Sequence, residues 1–150
     1  MTPRSDGTRS ARLAPTLRLN DGRHLPAVGF GTYPHHGEDS SEITREALGI
    51  GYRLLDTALS YGNEAGVGEG SRRSGVDRDE VVVTSKLAGR HHGAAGARMA
   101  VQESLANLGL ARIDLYLIHW PLPRLGLFVE SWRAMIEMRE QGLVGSIGVS

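Results

Sequence analysis

Apolar and polar residues alternate along Thr16-Leu17-Arg18-Leu19, Asn20-Asp21-Gly22 supplies a turn, and Leu25 to Val28 returns. That pattern predicts an antiparallel hairpin. The period then changes. Apolar, strand-like runs begin near Val28, Arg53, Val81, Ile113 and Val144, spaced by 25 to 32 residues. The segments between them carry helical spacing. Asp39 and Glu42 stand at capping-box distance, and Ile43, Ala47 and Ile50 follow before Gly51. Val101, Leu105 and Leu108 form the next stripe, closed by Gly109; Phe128, Trp132, Met135 and Ile136 form another, closed by Gly142. The Gly-rich stretch from Asn63 to Gly75 carries the weakest helical pattern.

Strands alternating with helices predict a parallel sheet. Val81-Val82-Val83 and Leu115 to Ile118 are too apolar for a sheet with a wet face and suit strands covered on both sides. Two architectures fit, an open doubly wound sheet and a (β/α) barrel. A dinucleotide fold of the first kind needs Gly-x-Gly-x-x-Gly directly after a strand. Gly66-Val67-Gly68-Glu69-Gly70 has the wrong spacing and lies well past the strand end, and Tyr33-Pro34-His35-His36-Gly37 is no phosphate loop. The barrel is favoured.

Each apolar run ends in a polar residue: Thr32-Tyr33, Asp56, Lys86, His119 and Ser150. In a parallel barrel these ends converge on one face, where barrel enzymes carry their chemistry. One polar strand end means little, because loops begin with polar groups. Asp, Lys and His on successive strands mean more. An ionisable group behind several apolar residues needs a partner, since a lone buried charge is costly, and Asp56 and Lys86 would be each other's natural partners.

Composition narrows the field. The chain has 150 residues, 17 basic and 17 acidic, no cysteine and a formal charge of zero. No basic field attracts nucleic acid or anionic lipid, no disulfide or thiolate metal site can form, and no apolar run is long enough to span a membrane. Of the 17 cations, 16 are arginine and one, Lys86, is lysine. His35-His36 and His91-His92 are poor metal pairs, because adjacent residues rarely aim at one ion; no metal is expected. Residues 1–15, with Arg4, Arg9 and Arg12 among Ser, Thr, Gly and Pro, read as a disordered tail, or alternatively as a transit-like arm.

Two long motifs then bear a family resemblance. Gly51-Tyr52-Arg53-Leu54-Leu55-Asp56-Thr57-Ala58, followed by Tyr61-Gly62-Asn63-Glu64 and Val67-Gly68, resembles the first signature of the aldo-keto reductases. Leu108-Gly109-Leu110 with Ile113-Asp114-Leu115-Tyr116-Leu117-Ile118-His119-Trp120-Pro121 resembles the second, and Gly145 to Ser150 resembles a further strand of that family. The likeness spans residues 16–150 and is strongest to the bacterial diketo-gluconate reductase branch. It implies a (β/α)8 TIM-barrel fold with an N-terminal β-hairpin closing its bottom, of which this chain holds about the first five strands. A full barrel takes about 250 residues, so the expectation is an N-terminal portion, a fragment or a truncated product, inactive alone.

The resemblance also implies a reaction: reduction of small aldehydes and ketones with NADPH, or alternatively NADH. The family's catalytic residues carry over to Asp56, Tyr61, Lys86 and His119. Tyr61 would donate the proton, Lys86 would supply the ammonium that favours phenolate, Asp56 would hold Lys86, and His119 would orient the carbonyl oxygen. Thr32, Asp56, Lys86 and Ser150 resemble cofactor contacts, and Tyr33 and Trp120 resemble aromatic walls of the substrate pocket. Ala88 stands where the family often has Trp, which suggests a wider pocket there. The expected setting is cytoplasmic. The whole protein is expected to be a monomer, and the truncated form to associate through open strand edges. Rival readings are a non-catalytic half-barrel, a cofactor-sensing subunit, and a lyase using Lys86 as a Schiff base; the last has no evident use for Tyr61.

Overall fold

A computed structural model describes residues 14–150. Most of the predicted tail lies outside the described residues. Its last member does not trail, because the Pro15 carbonyl accepts a hydrogen bond from Ala27 N–H at 2.7 Å and extends the hairpin. That hairpin pairs β1 (Thr16–Arg18) with β2 (His24–Pro26) antiparallel, with Leu17 opposite Leu25.

The expected parallel sheet follows. Its strands are β3 (Phe30–Gly31), β4 (Leu54–Asp56), β5 (Val82–Leu87), β6 (Ile113–Ile118) and β7 (Val144–Val149), arranged in sequence order and all parallel. The helices between them are α1 (Gly37–Gly49), α2 (Glu64–Arg73), α3 (Ala94–Leu108) and α4 (Phe128–Glu140). Sequential order without a reversal is the barrel's winding rather than the doubly wound one. Leu55, Val83, Leu87, Tyr116 and Ile118 point into the helix layer and are buried against Val67, Val101, Leu105 and Met135. Their strand neighbours Leu54, Asp56, Leu115 and Leu117 face the other way and are half-exposed.

The weakest helical pattern forms a full helix, and its glycines explain why. A Cβ on Gly68 would strike the Leu108 carbonyl, and one on Gly70 the Ser41 carbonyl, so α2 packs backbone-close against α3 and α1. The glycine run is a packing face. Gly109 (φ +66°) and Gly142 (φ +77°) adopt the left-handed conformation where α3 and α4 were expected to stop.

Two expectations fail. Asp39 and Glu42 form no capping box: α1 starts at Gly37 with His36 as an uncapped N-cap, and Glu42 pairs with Arg45 and Arg73 instead. The α4 stripe is also rotated. Ser131, Ala134, Met135 and Met138 are buried, whereas Phe128 is exposed and Trp132 and Ile136 are half-buried. Phe128, Val129 and Trp132 line an apolar cleft with Ile118 and Val149, beside the unpaired edge of β7. The stripe was real but serves two surfaces.

Candidate active site

Strand register assembles the site. Paired residues in a parallel sheet share a face, and every second residue rises one layer. Asp56 pairs with Thr84, and Lys86, one layer higher on the same face, pairs with Leu117. His119 continues β6 one layer above Leu117, held by its N–H donating to the Leu87 carbonyl at 3.0 Å. Ser150 continues β7, its N–H donating to the Ile118 carbonyl at 2.9 Å. Three ionisable side chains thus stack at the C-terminal ends of three adjacent strands.

Lys86 is the hub. Its side chain is 6% exposed, so its ammonium must be satisfied by protein. Nζ donates to Asp56 Oδ1 at 2.7 Å, to the Thr57 carbonyl at 3.0 Å and to the Tyr61 hydroxyl at 3.4 Å. Three N–H bonds find three acceptors. The Asp56 side chain is 43% exposed and opens to solvent. Tyr61 arrives from the 3-10 turn Leu59–Tyr61, which follows β4 directly; Gly62 (φ +67°) then turns the chain into α2. The ammonium also lies 5.0 Å from the Tyr61 ring centre.

His119 lies edge-on to Tyr61, with ring centres 5.9 Å apart, and its Nδ1 is 3.3 Å from Ser60 Oγ. Burial holds its pKa below the ordinary imidazole value; the Lys86 ammonium pushes the same way, Asp56 opposes, and His92 adds a smaller push downward. Tyr33 and Trp120 flank the pair. Tyr33 is 5.2 Å from Tyr61, and Trp120, 71% exposed with φ +52°, stacks on His119 at 6.2 Å. The fold therefore brings Asp56, Tyr61 and Lys86 into contact, sets His119 beside them, and leaves Tyr33, Trp120 and Ser150 exposed around the mouth.

Thr32 behaves differently. It is fully buried, and its hydroxyl donates to the Asp56 carbonyl at 3.3 Å and accepts from Asn63 Nδ2 at 3.3 Å. It offers a ligand no surface and instead ties β3 to β4. Ala88, where the family often has Trp, is likewise buried, at 2% exposure.

A family model, the Aldo/keto reductase family, matches residues 27–150. The chain belongs to the aldo/keto reductase family. Among aldo/keto reductases it is similar to 2,5-diketo-D-gluconic acid reductase B of Corynebacterium sp. (strain SHS752001), 52% identical over 136 residues, covering 91% of this chain and 49% of that protein. An aldo/keto reductase from Brucella melitensis superposes with a TM-score of 0.88 at 45% identity, covering 91% of this chain and 52% of that one. The Bombyx mori aldo-keto reductase solved in complex with NADP superposes with a TM-score of 0.84 at 38% identity, covering 91% and 50%. The chain spans about half the length of the curated relatives it matches.

Reading the sequence alone missed three groups around the site. Asn63 is buried, donates to the carbonyls of Thr32 (3.0 Å) and His35 (2.9 Å), and accepts from Thr57 Oγ1 at 2.8 Å, locking the strand ends that carry Asp56 and Thr32. Glu64 is buried beneath the sheet, accepting from Ser85 at 2.6 Å and Asn107 at 3.1 Å. Ser60 touches His119. Asn63 and Glu64 stand inside the first signature motif, but only the third dimension gives them partners.

Proposed function

We propose that this chain carries the proton-transfer machinery of an NADPH-dependent reductase of small aldehydes and ketones. The observation that carries the reading is the Lys86 ammonium, desolvated and fixed between the Asp56 carboxylate and the Tyr61 hydroxyl at the open end of the sheet. A residue set that only stabilised the fold would not leave a phenol at the solvent mouth with an ammonium behind it.

The donor set fits a nicotinamide cofactor: Asp56 and Ser150 present polar groups at the mouth, and among the described residues no thiolate or carboxylate cluster competes for the space. When bound, a reduced nicotinamide supplies the hydride to the carbonyl carbon. The chain's residues handle the oxygen. His119, held neutral, donates an N–H to the carbonyl oxygen and orients it. The Tyr61 O–H bond breaks as its proton passes to that oxygen, giving the alcohol and a phenolate beside Lys86; solvent then reprotonates the phenolate. Asp56 keeps the ammonium in register. Tyr33 and Trp120 wall the substrate, Ser150 faces the cofactor, and Thr32 supports that surface from beneath. NADPH is favoured over NADH on the strength of the relatives solved with NADP or NADPH. A cytoplasmic setting belongs to the same proposal.

The test uses residues 1–150 alone and a chimera joining them to the C-terminal half of the Corynebacterium relative. NADPH oxidation with an aldehyde panel should appear in the chimera and vanish with Tyr61→Phe. A chimera that folds, binds NADPH and reduces nothing on the panel would overturn the reading. The 150-residue chain alone should be inactive, and turnover by it would contradict that part. A second reading, self-association of the chain through open edges, is favoured by the apolar cleft of Phe128, Trp132 and Val149 beside β7. Light scattering that shows a monomer at all concentrations would remove it.

A further inference from the structure

Ser60 immediately precedes Tyr61 in the 3-10 turn after β4, and it is exposed. Its hydroxyl lies 3.3 Å from His119 Nδ1. Among the described residues, no other protein group hydrogen-bonds to either ring nitrogen of His119. The groups facing the imidazole are the Lys86 ammonium, the Asp56 carboxylate, the Tyr61 phenol and His92. Burial and the ammonium keep the ring neutral, so it holds one N–H, on either nitrogen. The two tautomers are opposite tools. With the proton on Nε2 the ring offers a donor to a carbonyl oxygen; with the proton on Nδ1 it offers that oxygen only a lone pair.

We propose that Ser60 is a positioning residue that donates its hydroxyl hydrogen to His119 Nδ1 and so holds His119 as the Nε2–H tautomer needed to orient a carbonyl substrate. The inference rests on the role proposed above for His119. Its physics is that of any histidine whose second nitrogen is bonded: the partner of one nitrogen decides which nitrogen carries the proton. Ser60 suits the task because a hydroxyl is uncharged and adds no pull that would protonate the ring. A carboxylate in its place would favour imidazolium.

The test is spectroscopic first. Histidine 15N–1H correlation spectra are recorded at pH 8 on the 150-residue chain and on the chimera, with His119 assigned by its loss in His119→Asn. The wild type should show Nε2 protonated and Nδ1 bare. Ser60→Ala and Ser60→Val should show a mixture of tautomers, and Ser60→Thr, the isostere of the valine variant, should restore the wild-type pattern. A protonated Nδ1 in the wild type, or an unchanged pattern in Ser60→Ala, overturns the proposal. In the chimera, Ser60→Ala should lower kcat about three- to tenfold, with the Kd for NADPH unchanged. A shifted tautomer with unchanged kcat would also overturn it. A wild-type chimera without activity would sink the reductase reading and leave the tautomer to the spectra, so the two failures are distinguishable.

Discussion

Two ion pairs sit at opposite ends of this sheet and differ in their cation. At the N-terminal ends of the strands, Arg78 meets Asp114 at 2.6 Å. Its guanidinium also donates to the carbonyls of Val81 (2.6 Å) and Arg112 (3.1 Å), and Asp114 accepts from Val83 N–H at 2.9 Å. Every strong contact goes to backbone or carboxylate, so the pair stitches β5 to β6. At the C-terminal ends, Lys86 meets Asp56 at 2.7 Å, spends a second hydrogen on the Thr57 carbonyl and aims the third at a phenol. The fork of an arginine saturates a structural junction, whereas the point charge of a lysine fits between a carboxylate and a hydroxyl. That contrast gives the lone lysine among 17 cations a reason that composition could only raise as a question.

Exchanging the cations would break the comparison most directly. Lys86→Arg should lower kcat in the chimera by well over tenfold, more than about 1.4 kcal/mol in the barrier, with circular dichroism and NADPH binding nearly unchanged. Near-normal kcat would mean that any cation serves there. The reciprocal change, Arg78→Lys, should leave kcat alone and cost about 1 kcal/mol of stability in urea unfolding, because Arg78 meets the Val81 carbonyl through one guanidinium nitrogen and the Arg112 carbonyl and Asp114 through another, and a single ammonium nitrogen cannot occupy both places. A loss of activity without loss of stability would dissolve the division between the two ends.

The sequence displayed this contrast unevenly. Asp56, Lys86 and His119 were visible because each follows an apolar run, and strand-length arithmetic places such residues at one end of a parallel sheet. The Asp56–Lys86 pair needed only the cost of a lone buried charge. Arg78–Asp114 was not legible, since an arginine in a polar loop and an aspartate early in a strand look like ordinary surface residues. The burial of Thr32 was not legible, because position at a strand end says nothing about which way a hydroxyl turns. The α4 stripe was misjudged because period alone does not tell how many neighbours share a helix. Ser60 left no signal, as its partner lies 59 residues away.

His119 sharpens the comparison from the electrostatic side. Burial is the main cause of its lowered pKa and the Lys86 ammonium the next. Lys86→Met should therefore raise the His119 midpoint in an NMR titration toward, but not up to, the ordinary value near 6.5, because burial remains. The sign for stability follows. The unfolded imidazole takes its proton at higher pH than the folded one, so this contribution is complete above the ordinary value and is lost as pH falls through the depressed folded value. Lys86→Met should narrow that window. A midpoint that stays put or falls would show that the ammonium is not felt at His119.

The smallest effect is expected at Tyr116, the phenol that faces a carboxylate where Tyr61 faces an ammonium. It points into the helix layer, fully buried, and its hydroxyl lies near Ser104 without a well-formed hydrogen bond. Burial, and then the Glu64 carboxylate, push its pKa well above the ordinary phenol value. Removing an unpartnered buried hydroxyl relieves a desolvation cost, so Tyr116→Phe should change stability at pH 7 by less than about 0.5 kcal/mol or raise it slightly. The difference should emerge in alkali. A phenol whose folded pKa is raised contributes its stability below the unfolded value near 10 and loses it as pH climbs toward the folded one. Wild type should thus weaken faster than Tyr116→Phe above that point in unfolding curves measured at stepped pH. Parallel curves would mean that Tyr116 ionises as freely in the fold as outside it, and that Glu64 does not act on it as a charge.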